Sequence, residues 1–337
     1  MEPTPDFSFD PATCPYRAGV RPYRKDTYRL EPETVGDKYV VHNYGHGGAG
    51  ITMSWGCAQV VRDIVLQRGA AGGVAVIGAG VMGLTAATLL AEANPKIEVT
   101  VYADKFTPNT TSDVAGGQWS PSIVAHTNQD SYFDVLRKAR KEHECRGACF
   151  GVSQKWNFTT QRIAHLDELP HDIVPAATVL PHLPFAHLTG PGLKYDLLLV
   201  EPPILMAKLQ QDLAAAGIIF IKRKFHSPSE LAGLKEAIIV NCTGLGARDL
   251  FNDTLMVPIK GQLVFIKPQS NLDYLFSGDG YVFPRKDAVV VGGSQEYVDD
   301  DIPDPTKCQQ MVAHMKAVFD GETILATQVP PWLLRGK

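Results

Sequence analysis

Four apolar residues, Val74-Ala75-Val76-Ile77, run directly into Gly78-Ala79-Gly80-Val81-Met82-Gly83, and this junction constrains the fold more than any other stretch of the chain. A short β-branched run suits a strand buried on both faces. Residues 84–93 behind the glycines are rich in Ala and Leu and read as a helix. A second apolar run, 97–103, ends at Asp104, 21 positions past Gly83. Strand, glycine turn, helix, strand and acid, with the acid about 20 residues on, is the order of a dinucleotide-binding βαβ unit. Gly78 permits the tight turn, Gly80 lets the backbone approach a pyrophosphate, and Gly83 packs helix on strand. The helix N-terminus supplies aligned N–H groups for the negative charge. The expected class is α/β, with a Rossmann-like domain.

About 70 residues precede this unit, and they are not a polar tail. Residues 39–42 read as a strand and 51–66 as a packed helix. Between them lies a second glycine-rich turn, Gly45-His46-Gly47-Gly48-Ala49-Gly50. Residues 69–73, Gly-Ala-Ala-Gly-Gly, read as a flexible joint. Further on, 201–216 and 308–319 read as helices. Residues 218–221 and 237–240 read as strands, and 263–267, 281–284 and 288–292 as antiparallel strands. The mixture implies a nucleotide domain joined to a smaller antiparallel-sheet domain. With 337 residues, 45% hydrophobic and 20% charged, the chain has material for about two domains. A net charge of −4 disfavours nucleic acid and membrane surfaces as partners. No apolar run approaches the ~18 residues of a membrane span. The opening lacks a secretory leader's basic and apolar regions, and Arg335-Gly336-Lys337 is not a peroxisomal tripeptide. A cytoplasmic location is therefore expected, with a peroxisomal one left open. Six scattered cysteines do not form a disulfide framework.

Together with the glycine turn, several separated blocks resemble the D-amino-acid oxidase family of flavoproteins, which includes the D-aspartate oxidases. They are Val101-Tyr102-Ala103-Asp104-Lys105-Phe106-Thr107-Pro108, Thr110-Thr111-Ser112-Asp113-Val114-Ala115-Gly116-Gly117, Val240-Asn241-Cys242-Thr243-Gly244, Lys260-Gly261-Gln262, Tyr281-Val282-Phe283-Pro284 and Val291-Gly292-Gly293. The most specific block, His42-Asn43-Tyr44-Gly45-His46-Gly47-Gly48-Ala49-Gly50-Ile51-Thr52, stands near the start with Gly19-Val20-Arg21-Pro22. In the family these two blocks close the chain. Their position here implies a circular permutation of the Rossmann-like FAD domain and the antiparallel substrate domain. Segments 1–38, 126–200 and 251–337 are then expected in the substrate domain. Segments 39–68, 74–125 and 201–250 are expected in the FAD domain, with 69–73 as the linker.

The resemblance implies FAD as cofactor. Its pyrophosphate would lie against Gly78, Gly80, Val81, Met82 and Gly83, and its adenosine near Ala103, Asp104 and Lys105. Thr110, Thr111 and Ser112 would offer hydroxyls and N–H groups to the phosphates. Gly47, Gly48, Ala49, Gly50, Ile51 and Thr52 would line the flavin ring. Gly117, Gln118, Phe225, Cys242, Thr243 and Gly244 complete the expected cofactor contacts. An ordinary loop at 45–50 and a solvated turn at 110–112 are the plain alternatives.

For substrate, the family's pattern assigns Arg21 to the carboxylate, because a planar guanidinium fixes both its charge and its orientation. Tyr281 would add a hydroxyl, and the Gly48 carbonyl would accept from the amine. Arg24 and Arg29 are alternatives nearby. Ser120, Ser122, Phe283, Gln295 and Tyr274 are expected in the pocket. Ser120 and Ser122 replace the family's Gln and Tyr, and Gln295 stands where the acidic-substrate branch places a second Arg, which disfavours D-aspartate. The implied reaction takes a D-amino acid and oxygen to an imino acid, then a keto acid, ammonia and hydrogen peroxide, by hydride transfer from Cα to flavin N5. Neutral D-amino acids are the expected substrates. Oxidation of glycine, sarcosine or a cyclic imino acid is the nearest alternative, and an inactive FAD-binding module a different one. A homodimer is one assembly the sequence leaves open. No metal is expected: His42 and His46 sit in a turn, and His143, Cys145 and Cys149 read as helix and core residues.

Overall fold

The computed structural model describes residues 1–13, 15–69, 72–322 and 329–333. Cys14, residues 70 and 71 of the joint, and the carboxyl-terminal tripeptide lie outside the described residues. Two sheets organise the chain. The six-stranded sheet has the order β2 (Arg29–Val35), β3 (Lys38–Tyr44), β10 (Ile238–Asn241), β4 (Val74–Ile77), β5 (Val99–Ala103), β9 (Ile219–Lys222). Apart from the antiparallel edge β2, its strands run parallel. The apolar strands β4 and β10 are buried throughout because layers cover both their faces.

The helices are α1 (Gly50–Arg68), α2 (Val81–Ala93), α3 (Gln129–Arg146), α4 (Ala164–Asp167), α5 (Pro202–Ala215), α6 (Ser229–Ala232), α7 (Gly246–Leu250) and α8 (Pro305–Phe319). α1, α2, α3 and α5 share one core with the six-stranded sheet. A Cβ on Gly56 of α1 would stand 2.0 Å from the Val135 carbonyl oxygen of α3, so these helices touch backbone to backbone there.

The second sheet has eight strands: β1 (Tyr16–Arg24), β11 (Met256–Ile266), β14 (Val289–Gly292), β13 (Gly280–Pro284), β12 (Tyr274–Gly278), β6 (Val152–Thr159), β8 (Gly192–Val200), β7 (Thr178–Leu180). It is antiparallel except where β12 runs parallel to β6. It therefore has more strands than the nucleotide sheet, although the sequence suggested the smaller domain. α8 covers one face with Met311, Met315 and Phe319, each worth about 1.5–3 kcal/mol of apolar burial.

Residues ahead of β4 complete both sheets. β1 pairs with β11 along its whole length, and β3 pairs with β10 in the middle of the parallel sheet. Two of the expected boundaries shift as a result. β2, inside segment 1–38, is the edge of the six-stranded sheet, because Arg29 to Val35 pair with β3. α3, inside 126–200, packs on α1 in the nucleotide core, because Tyr132, Val135 and Leu136 face it.

Candidate active site

A cavity of about 1190 Å³ opens over the carboxyl ends of β3, β4, β5 and β10 and runs between the two sheets. This is the crevice where parallel sheets bind nucleotides. It exceeds the roughly 300–1,000 Å³ of a drug-sized ligand site, leaving room for a dinucleotide and a small substrate.

Two helix N-termini converge on it. α2 presents Gly80, Val81 and Met82, and α1 follows the Gly47–Ala49 turn with Gly50 and Ile51 at the wall. Neither helix has an acidic residue in its first turn, so their positive ends face the cavity without a local carboxylate. The Val81 N–H donates to Ser112 Oγ at 3.0 Å. The glycines are sterically required. A Cβ on Gly78 (φ +108°) would meet the Cys242 carbonyl oxygen at 2.3 Å, and one on Gly47 (φ +54°) the Ile123 carbonyl oxygen at 1.9 Å. This cradle of glycines and helix N-termini fits the pyrophosphate of a dinucleotide. Asp104 and Lys105 line its far end, where a ribose would be read.

At the other end, strands β1, β11 and β13 frame a candidate anion site. Gly19 and Arg21 on β1, Gly261 on β11 and Tyr281 on β13 all line the wall. A Cβ on Gly261 would come within 2.3 Å of Arg21 Nη2, and one on Gly292 within 2.3 Å of the Tyr281 ring, so both side chains lie flat across glycines. Tyr281 stacks on Phe283 with centroids 4.2 Å apart. The Arg21 guanidinium donates to the Ser294 carbonyl at 3.1 Å. Among the described residues no carboxylate lies within 4 Å of it. The sequence alternatives are engaged elsewhere. Arg24 pairs with Asp253 at 2.8 Å, and Arg29 with Glu31 and Glu33 at 2.8 and 2.6 Å. Desolvation lowers the Arg21 pKa and the nearby Tyr281 partly restores it. Desolvation raises the Tyr281 pKa, opposed by Arg21 and Arg285. The cavity thus holds a charged, unpaired guanidinium beside a protonated phenol.

Most of the expected residues line this cavity: Arg21, Tyr281, Gly48, Ser120, Ser122, Phe283 and Gln295, then Gly78, Gly80, Val81, Met82, Asp104, Lys105, Thr110, Thr111, Ser112, Gly117, Gln118, Cys242, Thr243, Gly244, Gly47, Gly50 and Ile51. Six do not. Tyr274 is packed between Phe158 and Phe185 and donates to the Pro3 carbonyl at 2.7 Å, so it is no part of the pocket. Phe225 lies in the core behind β5, against Tyr102. Ala49 and Ala103 are buried behind the wall. Gly83 faces the Gly78 carbonyl, 1.9 Å from where its Cβ would stand, and acts by closing helix on turn. Thr52 Oγ1 both donates to the Ser120 carbonyl and accepts from its N–H, clamping that segment from behind. The Thr110 hydroxyl is also taken, by Asp113 at 2.6 Å, so it shapes the turn.

Gln161, Ile163, His165, Ser277, Tyr297 and Trp332 also line the cavity, although no sequence motif marks them. His165 Nε2 lies 2.7 Å from Ser120 Oγ. The Glu296 carboxylate is occupied by Lys307 and by Gln262 at 2.7 Å. His143 contacts the Ile51 carbonyl at 3.0 Å, while Cys145 and Cys149 are exposed rather than core residues. Among the described residues no cluster of His, Cys, Asp and Glu could hold a metal, and no helix is long and apolar enough to cross a membrane.

Desolvation depresses three histidines around the site, His46 to about 3 and His143 and His165 to about 4, from 6.5. Below pH 6.5 the unfolded chain takes up protons that the native state refuses until pH 3–4. The stability is complete above pH 6.5 and falls as pH drops towards 4, by up to about 1.4 kcal/mol per histidine per pH unit. Thermal melting should therefore show a midpoint several degrees lower at pH 5 than at pH 7. A flat profile between them would mean that these rings titrate freely in the native state.

The comparisons agree with this geometry. A family model described as FAD dependent oxidoreductase (DAO) matches residues 73–333. Human D-aspartate oxidase is 28% identical over 266 residues, covering 73% of this chain and 75% of the relative. The D-amino-acid oxidase of Streptomyces coelicolor is 29% identical over 270 residues, covering 76% and 81%. That of Dugesia ryukyuensis is 26% identical over 265 residues, covering 74% and 78%. Glycine oxidase from Geobacillus kaustophilus superposes with a TM-score of 0.56 at 18% identity, over 75% of this chain and 80% of that one, a likeness of fold. The family model's match over residues 73–333, which holds the glycine turn and the α2 N-terminus at the crevice, places the chain in the DAO family of FAD dependent oxidoreductases, with FAD as its cofactor.

Proposed function

We propose that this protein oxidises D-amino acids to imino acids, which hydrolyse to keto acids and ammonia while oxygen is reduced to hydrogen peroxide. The supporting observation is the unpaired Arg21 guanidinium beside Tyr281 at the end of the cavity opposite Asp104 and Lys105. An arginine that lacks a carboxylate of its own in a desolvated site is arranged to take one from a ligand.

FAD, when bound, supplies the acceptor for a hydride. The chain's residues supply position. Arg21 holds the substrate carboxylate through two parallel hydrogen bonds, and the Tyr281 hydroxyl adds a third. The Gly48 carbonyl accepts from the amine and fixes which face of Cα is presented, so one enantiomer reacts. Effective molarity in a sheltered cavity provides the rate. Gln295 lines the cavity, and among the described residues no arginine besides Arg21 does, which disfavours acidic substrates.

We also read the chain order as a permutation of the family's. The family match begins at residue 73, yet β1, β3 and α1 ahead of it complete both sheets and supply Arg21 and the Gly47–Ala49 turn. Peroxide release from a panel of D- and L-amino acids tests the activity. Turnover of D-enantiomers with none of their mirror images is expected. No turnover of any amine by FAD-loaded protein would leave an inactive flavin-binding module.

A further inference from the structure

A second cavity of about 340 Å³ adjoins the first, and Ile123, His165, Gln295 and Tyr297 line both. The wall between them is the 120–122 segment: Ser120 and Ser122 face the large cavity, and Pro121 the small one. Strand geometry gives its bearing from the anion site. On β1, Arg21 lines the large cavity and Tyr23, two residues on and on the same face, lines the small one. Ile259, the β11 residue opposite Arg21, lines the small one as well. Two strand residues span roughly 6.6 Å, a distance that four methylenes and a terminal nitrogen also cover. The junction is rigidly shaped. Ile123, a β-branched residue, is held at φ +53°, its carbonyl accepting from the Gly48 N–H at 3.2 Å.

The charge of the chamber is one-sided. Glu168 lines it, and among the described residues no lysine or arginine does, nor does Glu168 have an ion-pair partner within 4 Å. Desolvation lowers the pKa of His126, with Glu168 opposing it, and takes His165 down to about 4, so burial works against a positive charge on either ring. The Glu168 charge reaches inward, since it helps raise the Tyr132 pKa. His126 Nδ1 is buried without a partner in a ring stacked 3.9 Å from Tyr132.

Resting on the oxidase reading above, we propose that this chamber receives the substrate's side chain and that Glu168 extends the range of the enzyme from neutral to basic D-amino acids, those ending in an amine or guanidinium. A chamber of this size has no use for glycine or sarcosine, and its lone carboxylate repels acidic side chains.

The test uses FAD-loaded protein, with kcat/KM for D-lysine, D-arginine, D-leucine and D-glutamate, and wild type compared with Glu168→Gln and Glu168→Lys. The D-lysine to D-leucine ratio should fall about fivefold in Glu168→Gln, the effect of one partly exposed ion pair. Glu168→Lys should shift preference towards D-glutamate. Binding of 6-aminohexanoate and hexanoate, read from the flavin absorbance, gives a measure without turnover. Wild type should favour the amino compound, and Glu168→Gln should lose that preference. D-leucine turnover with unchanged ratios in both variants would overturn the subsite while leaving the oxidase reading intact. No turnover of any D-amino acid would overturn the oxidase reading. Equal affinity for the two carboxylates would then overturn the subsite too.

Discussion

Arg21→Ala should lower kcat/KM for every carboxylate-bearing substrate by about 10²–10⁴-fold, with bound flavin retained. The range follows from two charge-assisted hydrogen bonds at about 1.5–3 kcal/mol each. Among the described residues the Arg21 side chain makes one hydrogen bond, to the Ser294 carbonyl, so its loss leaves no carboxylate stranded. Arg24 cannot substitute, because Asp253 and the Thr27 carbonyl hold it. Steady-state peroxide assays and a visible spectrum check this. Loss of flavin together with activity would make Arg21 a structural residue. Retention of activity would place the carboxylate elsewhere.

Gly78→Val should abolish FAD retention, with apparent affinity reduced at least about 100-fold. The residue sits at φ +108°, a conformation that costs a β-branched side chain about 1–3 kcal/mol. Its Cβ would stand 2.3 Å from the Cys242 carbonyl oxygen. The backbone cannot yield easily, because the Gly78 N–H donates to Tyr102 at 2.7 Å and the Cys242 N–H to Ile77 at 2.8 Å. Any shift therefore opens the turn that the pyrophosphate needs. FAD titration followed by absorbance, with far-ultraviolet circular dichroism as a check of folding, distinguishes a lost site from a lost fold. A folded variant with wild-type flavin content would show that the turn tolerates a side chain.

The motif-bearing elements were legible because local chemistry dictates them. The Val74–Ile77 strand, the glycine turn and the 237–240 strand are where the sequence placed them within about a residue, since a doubly covered strand must be apolar throughout. Motif logic failed where packing decided. Tyr274 is a pocket residue by resemblance, yet an aromatic cluster and the Pro3 carbonyl claim it. Phe225 packs against Tyr102 in the core behind β5, and Ala103 is buried in the core shared with the helices, so neither lines the cavity. His165 and Glu168 follow β6 in a stretch with no pattern, and only the fold brings them to the cavities.

By itself the sequence determined a dinucleotide crevice and its glycines, because short-range sterics leave few other uses for those residues, while Arg21 stood out only through resemblance to the family, with Arg24 and Arg29 as alternatives. Tertiary structure decided which arginine stays unpaired, which hydroxyls are already spent, and that a second chamber lies beyond the first. The pairing of Arg24 with Asp253 and of β1 with β11 joins residues more than two hundred positions apart, and chain order carries no record of such partners.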